Sequence, residues 1–120
     1  MRVCVMQMDV VKGGRETNYE TVRRLTEEAM RAARPPEVIV LPELWSTGYA
    51  LESAGELASP MGEEEAAFLG ELAARHHVAF AGGSVLSLRD GRVYNRAQII
   101  DREGRYAAGY DKIHLFRLMD

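Results

Sequence analysis

An uninterrupted apolar run, Val38-Ile39-Val40-Leu41, is followed at once by Pro42 and Glu43, and this stretch constrains the chain more than any other. Consecutive β-branched and aliphatic residues read as a strand buried on both faces. Pro42 ends the ladder because it has no N–H to donate. Glu43, the first ionisable residue after the run, then stands at the carboxyl end of a buried strand, where open α/β sheets place their ligands. Trp45, Thr47, Gly48 and Tyr49 follow in a loop. Apolar surroundings should raise the pKa of Glu43 and suit it to general acid or base work. By itself the stretch is better read as an ordinary solvent-facing strand-end glutamate.

The flanking sequence gives that strand a partner. Residues 2–11 carry Val3, Cys4, Val5, Met6, Met8, Val10 and Val11 and read as a first buried strand. Lys12 to Arg15 is a turn, and Thr17…Glu20 has capping-box spacing. Tyr19, Val22, Leu25, Ala29, Met30 and Ala33 form one helical stripe, ended by Pro35-Pro36. Strand, helix and strand in this order make a βαβ unit. Farther on, Ser59 and Pro60 suit an N-cap and first helical residue. Glu63, Glu64 and Glu65 suit the positive end of the helix dipole, and Phe68, Leu69, Leu72 and Ala73 its buried stripe. His76 and His77 close that helix; adjacent on a helix, they point apart and do not suggest a metal site. Val78–Ala81 is a third strand running into Gly82-Gly83-Ser84, glycines better explained by close packing than by phosphate binding. Asp90-Gly91 is a type I′ hairpin signal, with strands over 93–100 and 105–110 on either side of a turn at 101–104. The chain therefore moves from alternating α and β to an antiparallel meander.

Composition narrows the function. The 120 residues suffice for one domain, and 47% hydrophobic against 28% charged residues indicates a globular chain. A net charge of −3 with interspersed signs argues against nucleic acid or an anionic membrane as partner. No apolar run is long enough to span a bilayer, and the N-terminus lacks the apolar core of a secretory signal. The single cysteine, Cys4, permits no internal disulfide, so the expected compartment is the reducing cytoplasm. Flanked by Val3 and Val5, with only Arg2 as a basic neighbour, Cys4 reads as a small buried hydrophobe.

A second motif stands far downstream. Lys112, in Tyr110-Asp-Lys-Ile-His-Leu-Phe116, follows a strand and could face a developing oxyanion. A lysine snorkelling at a strand end is the simpler reading of that stretch alone. Together, Leu41-Pro-Glu-Leu44 and Tyr110–Phe116 resemble the glutamate and lysine motifs of the nitrilase superfamily of carbon–nitrogen hydrolases, at a similar separation. Tyr94-Asn95 and Gly82–Ser84 are family-like too. Trp45–Tyr49 and His114–Asp120 are similar to the ω-amidase-like branch, which includes 2-oxoglutaramate amidases.

The resemblance implies an α/β fold, the N-terminal part of an αββα sandwich, and a Glu–Lys–Cys triad with Glu43 as base and Lys112 as oxyanion donor. It implies hydrolysis of a small-molecule amide, the ω-amide of an α-keto acid, with no cofactor or metal, by a homodimer of the full-length protein. A nitrilase or carbamoylase of the same superfamily is the alternative enzyme, and a non-catalytic remnant acting as an interaction module the alternative class. The family's nucleophilic cysteine follows the lysine by a few tens of residues, past Asp120, and Cys4 matches the first strand instead. Residues 1–120 are thus expected to be the N-terminal portion of a single hydrolase domain, inactive without the remainder.

Overall fold

The computed structural model describes residues 1–112. Its elements run β1 (Val3–Val5), α1 (Arg15–Met30), β2 (Val38–Val40), a 3-10 turn at Leu51–Ser53, α2 (Ala54–Leu57), β3 (Ser59–Pro60), α3 (Glu63–His76), β4 (Ala79–Arg89), β5 (Arg92–Ile100) and β6 (Tyr106–Asp111). Among the described residues the strands form one six-stranded sheet of order β1-β2-β4-β5-β6, with β3 against the far end of β4. The β1/β2 and β2/β4 pairs are parallel, and β4/β5 and β5/β6 antiparallel. The expected βαβ unit and meander are both present. No helix among the described residues is long and apolar enough to cross a membrane.

Both long helices lie on one face of the sheet. Tyr19 and Val22 of α1 and Leu69, Leu72 and Ala73 of α3 pack with Ile39, Leu41, Phe80, Val85 and Ile100 in a single core. Cys4 packs partly buried against that core, as a small hydrophobe would. Each fully buried aliphatic side chain there contributes about 1.5–3 kcal/mol.

The other face is open and apolar. The register aligns Val3 with Val38 and Val5 with Val40, then Val38 with Ala79, Val40 with Ala81, and Ala81 with Ile99. Val3, Val5 and Ile99 are exposed, Val5 to 70%. This corrects two expectations. The first strand, expected as a buried strand over residues 2–11, is three residues long with Val3 and Val5 exposed. Val38–Leu41, expected to be buried on both faces, is fully buried only on the face that meets the helices, with Val38 and Val40 half-buried on the other.

Two predicted caps are also corrected. Helix α1 begins at Arg15, because Gly13 donates to the Thr47 carbonyl at 2.7 Å and Gly14 to the Val11 carbonyl at 3.0 Å, turning the chain early. Thr17 is then already helical and its side chain caps nothing. Ser59 and Pro60 form β3, aligned with Ser87 and Leu88, and α3 starts later, behind Gly62 at φ +68°. The Asp90-Gly91 turn is as expected: both residues have positive φ, 51° and 75°, as a type I′ turn requires.

Gly83 shows why the glycine pair is there. It sits at φ +58° in a bulge of β4, and a Cβ there would run into the Pro42 carbonyl and lie 2.7 Å from the Leu41 carbonyl oxygen. Strand β4 therefore touches the end of β2 backbone to backbone. Gly83→Ala is expected to destabilise the protein by about 2–4 kcal/mol, read as a lower urea midpoint at unchanged m-value; a midpoint equal to wild type would refute the close-packing account.

Candidate active site

The segment that follows β2 is a loop pinned from below. The Leu41 N–H still bonds the Ala81 carbonyl at 3.0 Å, and Pro42 then presents its carbonyl to Gly83. Leu44 adopts φ 50°, an uncommon conformation for a branched residue, and is held there by its N–H on Ser84 Oγ at 3.0 Å. Trp45 donates its N–H to the Ser84 carbonyl at 3.3 Å, and its ring, 0% exposed, packs beside Tyr19 and Phe68. The Ser46 carbonyl accepts from Asn18 Nδ2 at 2.9 Å, while Ser46 Oγ donates to Glu65 Oε2 at 2.7 Å. Gly48, at φ +66°, donates to the Leu44 carbonyl at 2.7 Å and closes the turn. A loop this buried must satisfy its backbone groups internally, and these partners do so.

The turn leaves two side chains outward, Glu43 and Tyr49, six residues apart. Tyr49 donates its hydroxyl to Glu43 Oε2. Asn95 of β5 donates Nδ2 to Oε1 at 2.8 Å, and Lys112 bonds the same oxygen with its ammonium. Glu43 and Lys112 are therefore an ion pair across 69 residues, each side chain a little over one-third exposed. Lys112 is fixed through its backbone, whose N–H bonds the Asn95 carbonyl at 3.0 Å. Its neighbour Asp111 is held between Arg89 and Arg96, at 2.9 and 3.0 Å. Beyond Lys112, the remainder of the lysine motif, Ile113–Phe116, and the branch-like His114–Asp120 lie outside the described residues.

The electrostatics correct one expectation. The Lys112 ammonium, then the Tyr49 hydroxyl, and less strongly Asn95, hold the Glu43 carboxyl below its ordinary value against a smaller opposing effect of burial. Apolar surroundings do not raise it, because Glu43 is a surface residue with three donors on its carboxylate. The carboxylate in turn pushes the Tyr49 phenol upward. The group is poised as a charged base over a broad pH range, with a lysine beside it to meet negative charge.

A hollow of about 180 Å³ adjoins this cluster, lined by Leu44, Leu51, Leu86 and Val93 with Tyr49 and Asn95 at its polar side. No three His, Cys, Asp or Glu side chains converge as a metal site among the described residues. Sequence reasoning gave Tyr49 and Asn95 no role, although both stood in motifs already noted. It also missed the role of Glu65, read only as one of three glutamates at the positive end of a helix; the structure buries it fully, bonded to Ser46 and Ser59.

Comparison with known proteins finds relatives along nearly the whole chain. The carbon–nitrogen hydrolase family model matches residues 2–120. A 2-oxoglutaramate amidase of Bacillus subtilis is 36% identical over 118 residues, covering 98% of this chain and 44% of that protein. An omega-amidase of Danio rerio is 30% identical over 115 residues, covering 96% and 40%. Among solved structures, a carbon–nitrogen hydrolase superfamily protein of Xanthomonas campestris with an arsenic adduct in its active site superposes with TM-score 0.82 at 27% identity, covering 96% of this chain and 41% of that one. A nitrilase superfamily member of Saccharomyces cerevisiae gives 0.85 at 21% identity, a likeness of fold, over 95% and 44%. The chain thus spans less than half the length of the relatives it matches. With the family model matched along nearly its whole length and an α/β sheet that superposes on that of a superfamily member, this chain belongs to the carbon–nitrogen hydrolase family.

Proposed function

We propose that this chain is the N-terminal portion of a single-domain amidase and supplies two members of a Glu–Lys–Cys site, Glu43 as base and Lys112 as oxyanion donor. The observation that carries this reading is the meeting of these two side chains, 69 residues apart, at the ends of two strands. The cysteine belongs to sequence following Asp120. Glu43 takes the thiol proton, and the thiolate attacks the amide carbon. Lys112 donates to the oxyanion, the C–N bond breaks, and Glu43 returns its proton to the departing ammonia. Glu43 then deprotonates a water that attacks the thioester, and its proton goes back to the sulfur as the acid leaves.

The resting ion pair suits this cycle. While Glu43 is charged it holds the Lys112 ammonium in place. Once Glu43 takes the thiol proton its attraction for the ammonium falls, just as the oxyanion begins to compete for it. The substrate reading, the ω-amide of an α-keto dicarboxylic acid, rests on relatives named 2-oxoglutaramate amidase and omega-amidase at 30–36% identity.

In the chain extended through its cysteine, Glu43→Gln should lower kcat/KM about 10²–10⁴-fold, and Lys112→Ala about 10²–10³-fold. Activity needs the charged carboxylate, so it is lost as pH falls through the Glu43 pKa. That acid limb should lie below the ordinary glutamate range, and Lys112→Ala should move it upward. Wild-type rates in either variant would refute the assigned roles. Ammonia release from 2-oxoglutaramate should exceed that from an aliphatic nitrile; the reverse order would remove the branch assignment. Residues 1–120 alone should release no ammonia from either, and turnover by the short chain, abolished by Cys4→Ala, would overturn the reading of the nucleophile.

A further inference from the structure

The contacts of Glu43 distinguish its two oxygens. Oε1 accepts from Lys112 Nζ and from Asn95 Nδ2, at 2.8 Å from the latter. Neither nitrogen can accept a hydrogen bond: a lysine ammonium is donor-only, and the Asn95 amide must turn its NH2 toward a carboxylate, which offers acceptors alone. A proton on Oε1 would face two N–H groups. Oε2 is bonded instead to the Tyr49 hydroxyl, which can donate to an oxygen or accept from one as its hydrogen rotates. The titratable groups that face Glu43 among the described residues are Lys112, from the end of β6, and Tyr49, from its own loop.

We propose that Tyr49 is a positioning residue for the general base: it directs the transferred proton to Oε2 and reverses its hydrogen bond when that proton arrives. This rests on Glu43 being the base of the proposed reaction. Before transfer, the phenol donates to the carboxylate and keeps Oε2 in place. After transfer, Oε2 carries the hydrogen, and the phenol oxygen is the neutral acceptor beside it until the leaving ammonia or the sulfur takes that hydrogen back. No bond of the phenol to its own proton breaks, so the proton count of the cycle is unchanged. The turn from Leu44 to Gly48, with positive φ of 50° and 66° at its two ends, returns the chain so that the Tyr49 hydroxyl meets Glu43.

The test uses the chain extended through its cysteine and compares pH profiles of kcat and kcat/KM. Glu43→Gln must first lower kcat/KM by the roughly 10²–10⁴-fold of a lost general base; a rate near wild type would overturn the assignment of the base and this inference with it. Given that loss, Tyr49→Phe should lower kcat about 10–100-fold, the scale of one hydrogen bond to a charged group, with KM little changed. Its acid limb should move to higher pH, because the charged carboxylate has lost a donor. Fluorotyrosine at position 49, a stronger donor on the same ring, should move the limb the opposite way at near wild-type stability. An acid limb unmoved by both replacements, whatever the rates, would overturn the role of Tyr49 and leave the Glu43 assignment standing.

Discussion

The Glu65 carboxylate, sealed from solvent, is the contact on which the site loop depends. It projects from α3 and accepts from Ser46 Oγ of the loop and Ser59 Oγ of β3, each at 2.7 Å, with Arg15 of α1 at 3.5 Å. One side chain thereby ties four segments together behind Glu43. A buried carboxylate is costly without such partners, and removing one member of a buried charged pair costs about 3–5 kcal/mol. The arrangement is thus a strong determinant of loop geometry and a weak source of net stability. Apolar replacements could fill the same volume but could not fix where Ser46 sits.

What Glu65 does from below, the sheet does from the side. The Ser84 backbone and hydroxyl hold Trp45 and Leu44, and Gly83 lets the strand come close enough for them to do so. Strand β5 carries Asn95 to Oε1 and, through its carbonyl, fixes Lys112. Among the described residues, Glu43 is bonded to Asn95 of β5, to Lys112, anchored on β5 through its backbone, and to Tyr49 of its own pinned turn. That rigidity is what lets a surface carboxylate hold a definite orientation in water, where an isolated exposed ion pair contributes little.

Much of this was legible in the sequence, and the reason differs by residue. Val38–Leu41 with Pro42, the apolar stripe of α1 and Asp90-Gly91 each carry a local signal, either periodicity or a demanded backbone angle, and each formed the expected strand, helix or turn, although one face of Val38–Val40 is only half-buried. Glu43 and Lys112 were legible as a pair of motifs. Thr17 and Ser59 failed as caps because long-range partners, the Thr47 carbonyl and strand β4, decided where the helices start. Glu65 and Tyr49 could not be read from spacing at all. A glutamate in a helix's first turn and a tyrosine after glycine look the same whether they face solvent or a partner, and only the assembled fold supplies Ser46, Ser59 and Glu43.

The open face of the sheet and the site are parts of one surface. Asn95, Ala97 and Ile99 alternate along β5, so the residue that holds Glu43 points to the same side as the exposed Ile99, which the register aligns with Ala81 beside Val40. In the sandwich that the family resemblance implies, a second sheet would lie on this side, and its burial of these aliphatic residues would supply roughly 25 cal/mol per Å² covered. The same cover would strip water from the rim where Glu43 and Lys112 meet. Coulombic attraction rises as the local dielectric falls, so the ion pair tightens and the donors on the carboxylate gain force. Covering the hydrophobic layer and sharpening the pair proposed as catalytic would then be a single event, and a surface carboxylate among the described residues would fit the role of base proposed for it.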